Sequence, residues 1–206
     1  MNKVITIGRE FGSGGRELGK RLAEQLGFAY YDEEIISAIA ERSALAEDYV
    51  KQVVEKRIVT YYPITVASTL AVTPEDSIYS INRSIYAAQT EILEEMAKKS
   101  DCVIVGRCAD HILADFRPFR LFVYADMPNK IARCRAKGED GQNLSDKELE
   151  KKIRAVDKAR AQYYRYYTGA SLDDRLNYDL GINTSGLEIK DVASAIAALV
   201  KSAIAE

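Results

Sequence analysis

Short apolar runs alternate along the chain with longer segments in which apolar residues recur every three or four positions. The short runs are rich in β-branched and aromatic residues and end at polar or glycine residues, as buried parallel strands do. They cover residues 4–7, 102–105, 121–124 and 178–183. Strands of this kind, alternating with helices, predict an α/β protein in which a parallel sheet carries helices on both faces.

The segments between these runs predict the helices. Leu18, Leu22 and Leu26 recur as on the buried face of a helix, and Gly27 is placed to end it. A hydroxyl cap, a proline and two acidic residues predict a helix from Thr73 to about Lys99. Further helices are predicted to begin at Asp32, Glu47, Pro128 and the capping box of Ser145 and Glu148, and a last helix closes the chain. Residues 58–73 fit no element.

A turn-rich segment, the glycine loop (residues 8–15), separates the first strand from the first helix. Such loops aim backbone N–H groups and a positive helix end at an anion, which predicts phosphate binding by Gly12, Ser13, Gly14 and Gly15. The loop departs from the pattern GxxxxGK[ST], because Gly15 stands where the lysine is expected. Arg16 could supply the missing charge. The alternative is a turn that only connects strand to helix.

Glu17, next in the chain, has two readings. Its carboxylate could bind Mg²⁺ near the phosphates, or it could simply favour the positive end of the helix.

Polar residues also follow the other strands, at the edge where parallel α/β sheets bind ligands. They are Asp32, the pair Gly106-Arg107, Asp126, and the triplet 183–185. For Asp32 and Asp126 we favour helix capping over the ordering of magnesium-bound water. Arg83 lies on a second stripe of the helix that ends near Lys99, and this stripe either packs on a neighbour or faces a substrate.

A flexible polar segment, residues 137–143, precedes a long helix with an apolar stripe that Arg160 continues. A buried arginine needs an anionic partner, and either Asp157 or a bound phosphate could be that partner. A polar loop leading into an arginine-bearing helix suits a lid over nucleotide phosphates. The tyrosines of residues 163–167 indicate packing or a contact between copies of the chain.

Composition restricts the partners. The formal net charge of −2 argues against broad nucleic-acid binding, so any anion site must be local. The chain has three cysteines without a CxxC pair and a single histidine, which argues against a zinc site. The cysteines are expected to be reduced thiols in a cytoplasmic protein. No run reaches the roughly 18 apolar residues that span a bilayer.

Several motifs together suggest a family. The segments GREFGSGGRELGKRLAEQLG, YYDEEII, VIVGRCADHIL, DKARAQYYRYYTG and NYDLGINTS follow one another along nearly the whole chain. In this combination the chain resembles the cytidylate-kinase-like proteins, P-loop relatives of the nucleoside monophosphate kinases. The resemblance implies a single P-loop domain with ATP and Mg²⁺ as cofactors. It also implies a monophosphate-binding insertion near residues 33–99 and a lid near 137–165.

The resemblance also implies roles for individual residues. Gly106 and Arg107 match the family's Gly-Arg-Asp motif for the acceptor nucleotide, with Cys108 in place of the aspartate and Asp110 two residues later. Asp157 and Arg160 match an aspartate and arginine that also contact the nucleotide. Arg133 and Arg154 are further phosphate contacts placed by region rather than by motif. Together with the residues singled out above, the expected acceptor set is Asp32, Arg83, Arg107, Asp110, Asp157 and Arg160, and the expected catalytic set is Arg16, Arg133, Arg154 and Arg160.

The expected reaction is transfer of a phosphoryl group from magnesium ATP to a small acceptor, a nucleoside monophosphate such as CMP. Such transfer requires positioning and charge neutralisation more than a base. Two alternatives stay open: a kinase of another small molecule, and a nucleotide-binding sensor or interaction module without transfer activity.

Overall fold

The computed structural model describes residues 2–55, 74–138 and 144–203. Within them, five parallel strands form one sheet in the order β2-β3-β1-β4-β5. The strands are β1 (Val4–Arg9), β2 (Ala29–Tyr31), β3 (Cys102–Val105), β4 (Phe119–Tyr124) and β5 (Leu180–Asn183). The predicted parallel α/β sheet is confirmed. The unassigned residues 58–73 and most of the predicted lid loop, residues 139–143, lie outside the described residues.

Helices connect the strands. They are α1 (Gly15–Leu26), α2 (Glu34–Ser43), α3 (Glu47–Glu55), α4 (Pro74–Lys99), α5 (Ala109–Ile112), α6 (Met127–Lys137), α7 (Asp146–Thr168) and α8 (Ile189–Ala203). Two 3-10 turns lie at Ala114–Phe116 and Arg175–Asn177. In the described part of the chain, no helix is both long enough and apolar enough to cross a membrane.

Most of the predicted helix ends are confirmed. Gly27 ends α1 in the left-handed conformation, and Asp126 caps α6 by accepting a hydrogen bond from the Asn129 N–H. Ser145 and Glu148 form the expected capping box of α7. The predicted cap at Asp32 is wrong, because Glu33 occupies the cap position of α2 and the Asp32 carboxylate turns toward Arg16 instead.

Alternation along the strands gives the sheet two separate apolar faces. Ile5, Ile7 and Val103 belong to the core that α1 and α8 cover, whereas Val4 and Ile104 belong to the core under α2, α3, α4 and α7. Both faces are buried, which explains why the central strands are continuous apolar runs rather than alternating ones.

The carboxyl ends of the central strands meet at one edge of the sheet. The Gly106 N–H donates to the Ile7 carbonyl at 2.9 Å, and the Glu10 N–H donates to the Val123 carbonyl at 3.0 Å. The glycine loop after β1 therefore lies directly beside the turn that follows β3.

Candidate functional site

The glycine loop makes tight turns and packs closely against α6 and α8. Gly12 and Gly14 have φ values of +74° and +85°, in the left-handed region that favours glycine. A Cβ at Gly12 would lie 3.0 Å from the Lys130 carbonyl oxygen, and one at Gly14 would lie 2.5 Å from the Ile189 Cδ1. Ser13 is fully buried, and its hydroxyl donates to the Glu10 carbonyl at 2.9 Å. Residues 12–15 thus form a tight connection between β1 and α1, and phosphate binding by them stays a prediction.

Arg16 and Glu17 begin α1, and both are engaged in ion pairs. The Arg16 Nε lies 2.5 Å from the Asp32 Oδ2, and its Nη1 lies 3.0 Å from the Glu33 Oε1. The Glu17 carboxylate lies 3.0 Å from the Arg21 Nε and 3.8 Å from the Lys137 Nζ. Arg16 therefore pairs with residues at the start of α2, and Glu17 pairs with Arg21 on its own helix and with Lys137 on α6.

Three arginines from different elements surround a small cavity beside the loop. Arg9, Arg107 and Arg160, which we call the arginine cluster, line about 40 Å³ together with Gly8 and Gly106. Burial lowers the pKa of Arg9 well below its ordinary value, and the nearby charges of Arg160 and Arg107 act in the same direction. Because these positive groups crowd one another, an anion bound among them would relieve their repulsion.

An unusual backbone conformation holds Arg107 in place. Gly106, Arg107 and Cys108 have φ values of +76°, +60° and +52°, three successive residues in the left-handed region. Residues other than glycine adopt this region at a cost, and such strain clusters at functional sites. The carbonyl of Arg107 accepts a hydrogen bond from the buried Gln89 Nε2 at 2.9 Å, which anchors the turn to α4.

Asp110, Cys108 and Tyr164 also line this cavity. The Tyr164 hydroxyl donates to the Asp110 Oδ2 at 2.5 Å. Burial raises the pKa of Asp110 above its ordinary value, while the hydrogen bond from Tyr164 opposes the shift. Burial also raises the pKa of the Cys108 thiol, so this thiol is poorly suited to act as a nucleophile.

A buried lysine joins the glycine loop to two helices. The Lys130 Nζ on α6 lies 2.8 Å from the Glu10 Oε2 and 3.0 Å from the Asp157 Oδ2 on α7. The other oxygen of Asp157 accepts the Phe11 backbone N–H at 2.6 Å. We call Glu10, Lys130 and Asp157 the lysine triad. Nearby, the Arg160 guanidinium lies 5.6 Å from the centre of the Phe11 ring.

The remaining sequence-predicted residues lie elsewhere. Arg133 supports the loop from behind, donating to the Thr184 Oγ1 at 3.0 Å and the Ser13 carbonyl at 3.4 Å. The side chain of Arg154 is 67% exposed and pairs with Glu150 on its own helix. Arg83 is exposed on α4. None of these three arginines lines the cavity of the arginine cluster.

Sequence reasoning missed Arg9, Glu10 and Lys130. Arg9 belongs to the turn-rich segment of the sequence and carries no local mark of burial, and a lysine one turn into an amphipathic helix is normally exposed. The ion pairs of Glu10 and Lys130 join residues far apart in the chain, so no local signal marks them.

The Asp32 carboxylate could take part in holding a magnesium ion. Mg²⁺ is usually held by one or two carboxylates, waters and substrate phosphates rather than by a cage of protein ligands. The described residues contain no cluster of three or more potential metal ligands. Within that same part of the chain the buried Asp32 Oδ1 has no hydrogen-bond partner, so it could accept a magnesium-bound water.

Comparisons with known proteins agree with this architecture. The model of the cytidylate kinase-like family matches residues 4–186. A cytidylate kinase of Natronomonas pharaonis is 24% identical over 201 residues, which cover 98% of this chain and 88% of that protein.

Solved structures share the fold. An uncharacterized protein from Eubacterium ventriosum superposes with a TM-score of 0.69 at 23% identity, covering 98% of this chain and 99% of the other. Shikimate kinase from Bacteroides thetaiotaomicron gives 0.58 at 15% identity, with 99% of each chain covered. Shikimate kinase from Acinetobacter baumannii, in complex with shikimate, gives 0.54 at 18% identity, covering 98% and 94%.

Proposed function

The chain belongs to the cytidylate kinase-like family, and from this premise we propose that it transfers the terminal phosphoryl group of ATP to a small acceptor, a nucleoside monophosphate such as CMP. One observation carries the proposal: the arginine cluster lines a cavity directly beside the glycine loop. A donor phosphate on the loop and an acceptor phosphate among the arginines would then lie next to each other.

The glycine loop binds the donor in this proposal. Backbone N–H groups of residues 12–17 and the positive end of α1 receive its phosphates. Arg133 acts as a positioning residue, because it ties the Ser13 carbonyl to Thr184 and so fixes the shape of the loop. Contacts of Arg16 and Arg154 with the transferred phosphoryl group, and of Glu17 with Mg²⁺, stay predictions.

The arginine cluster binds the acceptor phosphate and neutralises charge on the transferred group. Guanidinium groups suit this role because they are always charged and bind phosphate oxygens in pairs. Asp110, which accepts a hydrogen bond from the Tyr164 hydroxyl, orients the acceptor within the cavity. A contact of Arg83 with the acceptor stays a prediction.

Asp32 is the residue that we assign to the magnesium side of the donor. Its Oδ2 is fixed by Arg16 while its Oδ1 is available to a metal-bound water. When bound, Mg²⁺ would neutralise phosphate charge and hold the donor phosphates in one conformation.

A coupled ADP-release assay with magnesium ATP tests the proposal. The acceptor panel contains nucleoside monophosphates and shikimate, and Arg107→Met is compared with the matched control Arg175→Met in the exposed 3-10 turn. We expect turnover on a monophosphate, with kcat/KM for the acceptor lowered about 100-fold in Arg107→Met and unchanged in the control.

Two outcomes would contradict the proposal. ATP binding without turnover on any acceptor would remove phosphoryl transfer and favour a sensor. Equal kinetics of the two arginine variants would remove the cluster as the acceptor site.

A further inference from the structure

We propose that a phosphate group of the donor nucleotide and the Asp157 carboxylate compete for one anion position, formed by the Phe11 N–H and the Lys130 ammonium group. This inference rests on the proposed function, because it takes the glycine loop to be the donor site. It assigns to Lys130 the charge that position 15 lacks, and to Asp157 the role of an internal competitor.

The geometry defines a single position. The Asp157 Oδ1 lies 2.6 Å from the Phe11 nitrogen, and its Oδ2 lies 3.0 Å from the Lys130 Nζ. One carboxylate therefore bridges a backbone donor of the loop and a buried ammonium. These are the same two kinds of donor, an oriented N–H group and a fixed cation, that bind phosphate oxygens.

Lys130 is held at the loop by a second contact. Lys130 is 5% exposed, and the Glu10 Oε2 that pairs with it also accepts the Ala125 N–H at 3.2 Å. When Asp157 leaves, the Glu10 contact keeps the ammonium beside the loop. A buried ammonium needs a close anion, and a phosphate carries more charge than a single carboxylate. The exchange therefore favours a polyphosphate at sufficient concentration.

The competition couples the donor to the acceptor side. Asp157 lies on α7, the helix that also supplies Arg160 and Tyr164 to the arginine-cluster cavity. A donor phosphate that displaces Asp157 releases one of the contacts between α7 and the loop. The states of α7 with and without this contact then differ in donor affinity, which is the condition for a ligand to shift their populations.

Isothermal titration calorimetry with magnesium ATP and, separately, inorganic tripolyphosphate tests this inference without requiring turnover. The variants are Asp157→Asn, Lys130→Met and the double variant. Asp191→Asn and Lys201→Met, both exposed on α8, are the matched controls.

We expect Asp157→Asn to bind both ligands about tenfold more tightly, because the amide has no charge with which to compete. Lys130→Met should bind them about tenfold more weakly, and the gain from Asp157→Asn should disappear in the double variant. Both controls should bind like the wild type.

The outcomes separate the two proposals. If the wild type binds ATP but Asp157→Asn binds it no more tightly, the competition is refuted and the proposed function stands. If neither the wild type nor Asp157→Asn binds either ligand, the donor site itself is refuted. Asp157→Asn changes one polar atom, so it decides the question even where Lys130→Met does not fold.

Discussion

Arg9 lies directly over Gly106, so that a side chain on this glycine would occupy the same space as the guanidinium. Crowding of this kind recurs at the candidate site. Arg9, Arg107 and Arg160 share one small cavity with Asp110, and the charge of the buried Asp32 opposes the lowering of the Arg9 pKa. Each of these residues constrains its neighbours, which makes single substitutions informative.

Gly106→Ala should disrupt the arginine cluster. The new Cβ would lie 1.8 Å from the Arg9 Nη1, on a backbone with φ of +76°. We expect the free energy of unfolding to fall by about 1–3 kcal/mol, and turnover to fall more than tenfold because Arg9 is displaced. Chemical denaturation and the ADP-release assay measure the two effects.

Gly169→Ala is the control for this substitution. Gly169 has φ of +74° and no atom within 4 Å of its added Cβ, so alanine there carries the backbone cost without the clash. It should lose stability and keep wild-type turnover. Equal turnover in the two variants would show that the position of Arg9 is irrelevant.

Asp110→Asn should change how stability depends on pH. Burial raises the pKa of Asp110, so the native carboxyl binds its proton more tightly than the unfolded one. Stability contributed by this proton is present below the unfolded value of about 4 and is lost as pH rises through the native pKa. Urea denaturation from pH 4 to 8 should give a flatter profile for Asp110→Asn than for wild type.

Asp115→Asn, on the exposed 3-10 turn that follows α5, is the control and should keep the wild-type profile. If Asp110→Asn also kept the wild-type profile, the Asp110 carboxyl would have the same pKa in the native and the unfolded protein, which would contradict the prediction.

At the level of elements, α4, α7 and the turn after β3 are joined by one buried amide. The Gln89 Nε2 donates to the Arg107 carbonyl at 2.9 Å, and its Oε1 accepts the Tyr163 hydroxyl at 3.2 Å. Tyr86 on α4 and Tyr167 on α7 stack nearby, with ring centres 4.0 Å apart. These contacts fix the two long helices around the left-handed turn that carries Arg107.

Gln89→Met should weaken this junction. The two side chains are similar in volume, but methionine leaves the Arg107 carbonyl and the Tyr163 hydroxyl without this partner inside the protein. We expect a loss of about 2–4 kcal/mol in the free energy of unfolding, measured by chemical denaturation. Gln25→Met removes an amide that bonds Ser194 at the surface and should cost well under 1 kcal/mol. Similar losses in both variants would contradict the structural role of Gln89.

The sequence-based predictions succeeded where a signal is local. The runs at 4–7 and 102–105 are strands because β-branched residues fill a sheet that is buried on both faces, and the capping box at Ser145 begins α7 through contacts within one turn. The failure at Asp32 has a distant cause, since Arg16 on another helix attracts its carboxylate. Lys130 was missed for the same reason, because its partners Glu10 and Asp157 lie far from it in the chain.

At the scale of the whole molecule, both faces of the parallel sheet are covered by helices, and the candidate site lies at the carboxyl ends of its strands. The glycine loop, the turn carrying Arg107 and the lysine triad gather there from β1, β3, α6 and α7. The protein as a whole carries a formal net charge of −2, so the positive potential of the site is local. We propose that this site transfers a phosphoryl group from ATP to a nucleoside monophosphate although its loop lacks the usual lysine.

Phosphorus NMR of the wild-type protein with magnesium ATP and CMP tests this claim most directly, because it observes both products of the transfer. We expect ADP and CDP to appear in equal amounts as ATP and CMP disappear, with another nucleoside monophosphate replacing CMP if the base preference differs. Formation of ADP and inorganic phosphate alone, or no change in any phosphorus signal across all the monophosphates, would contradict it.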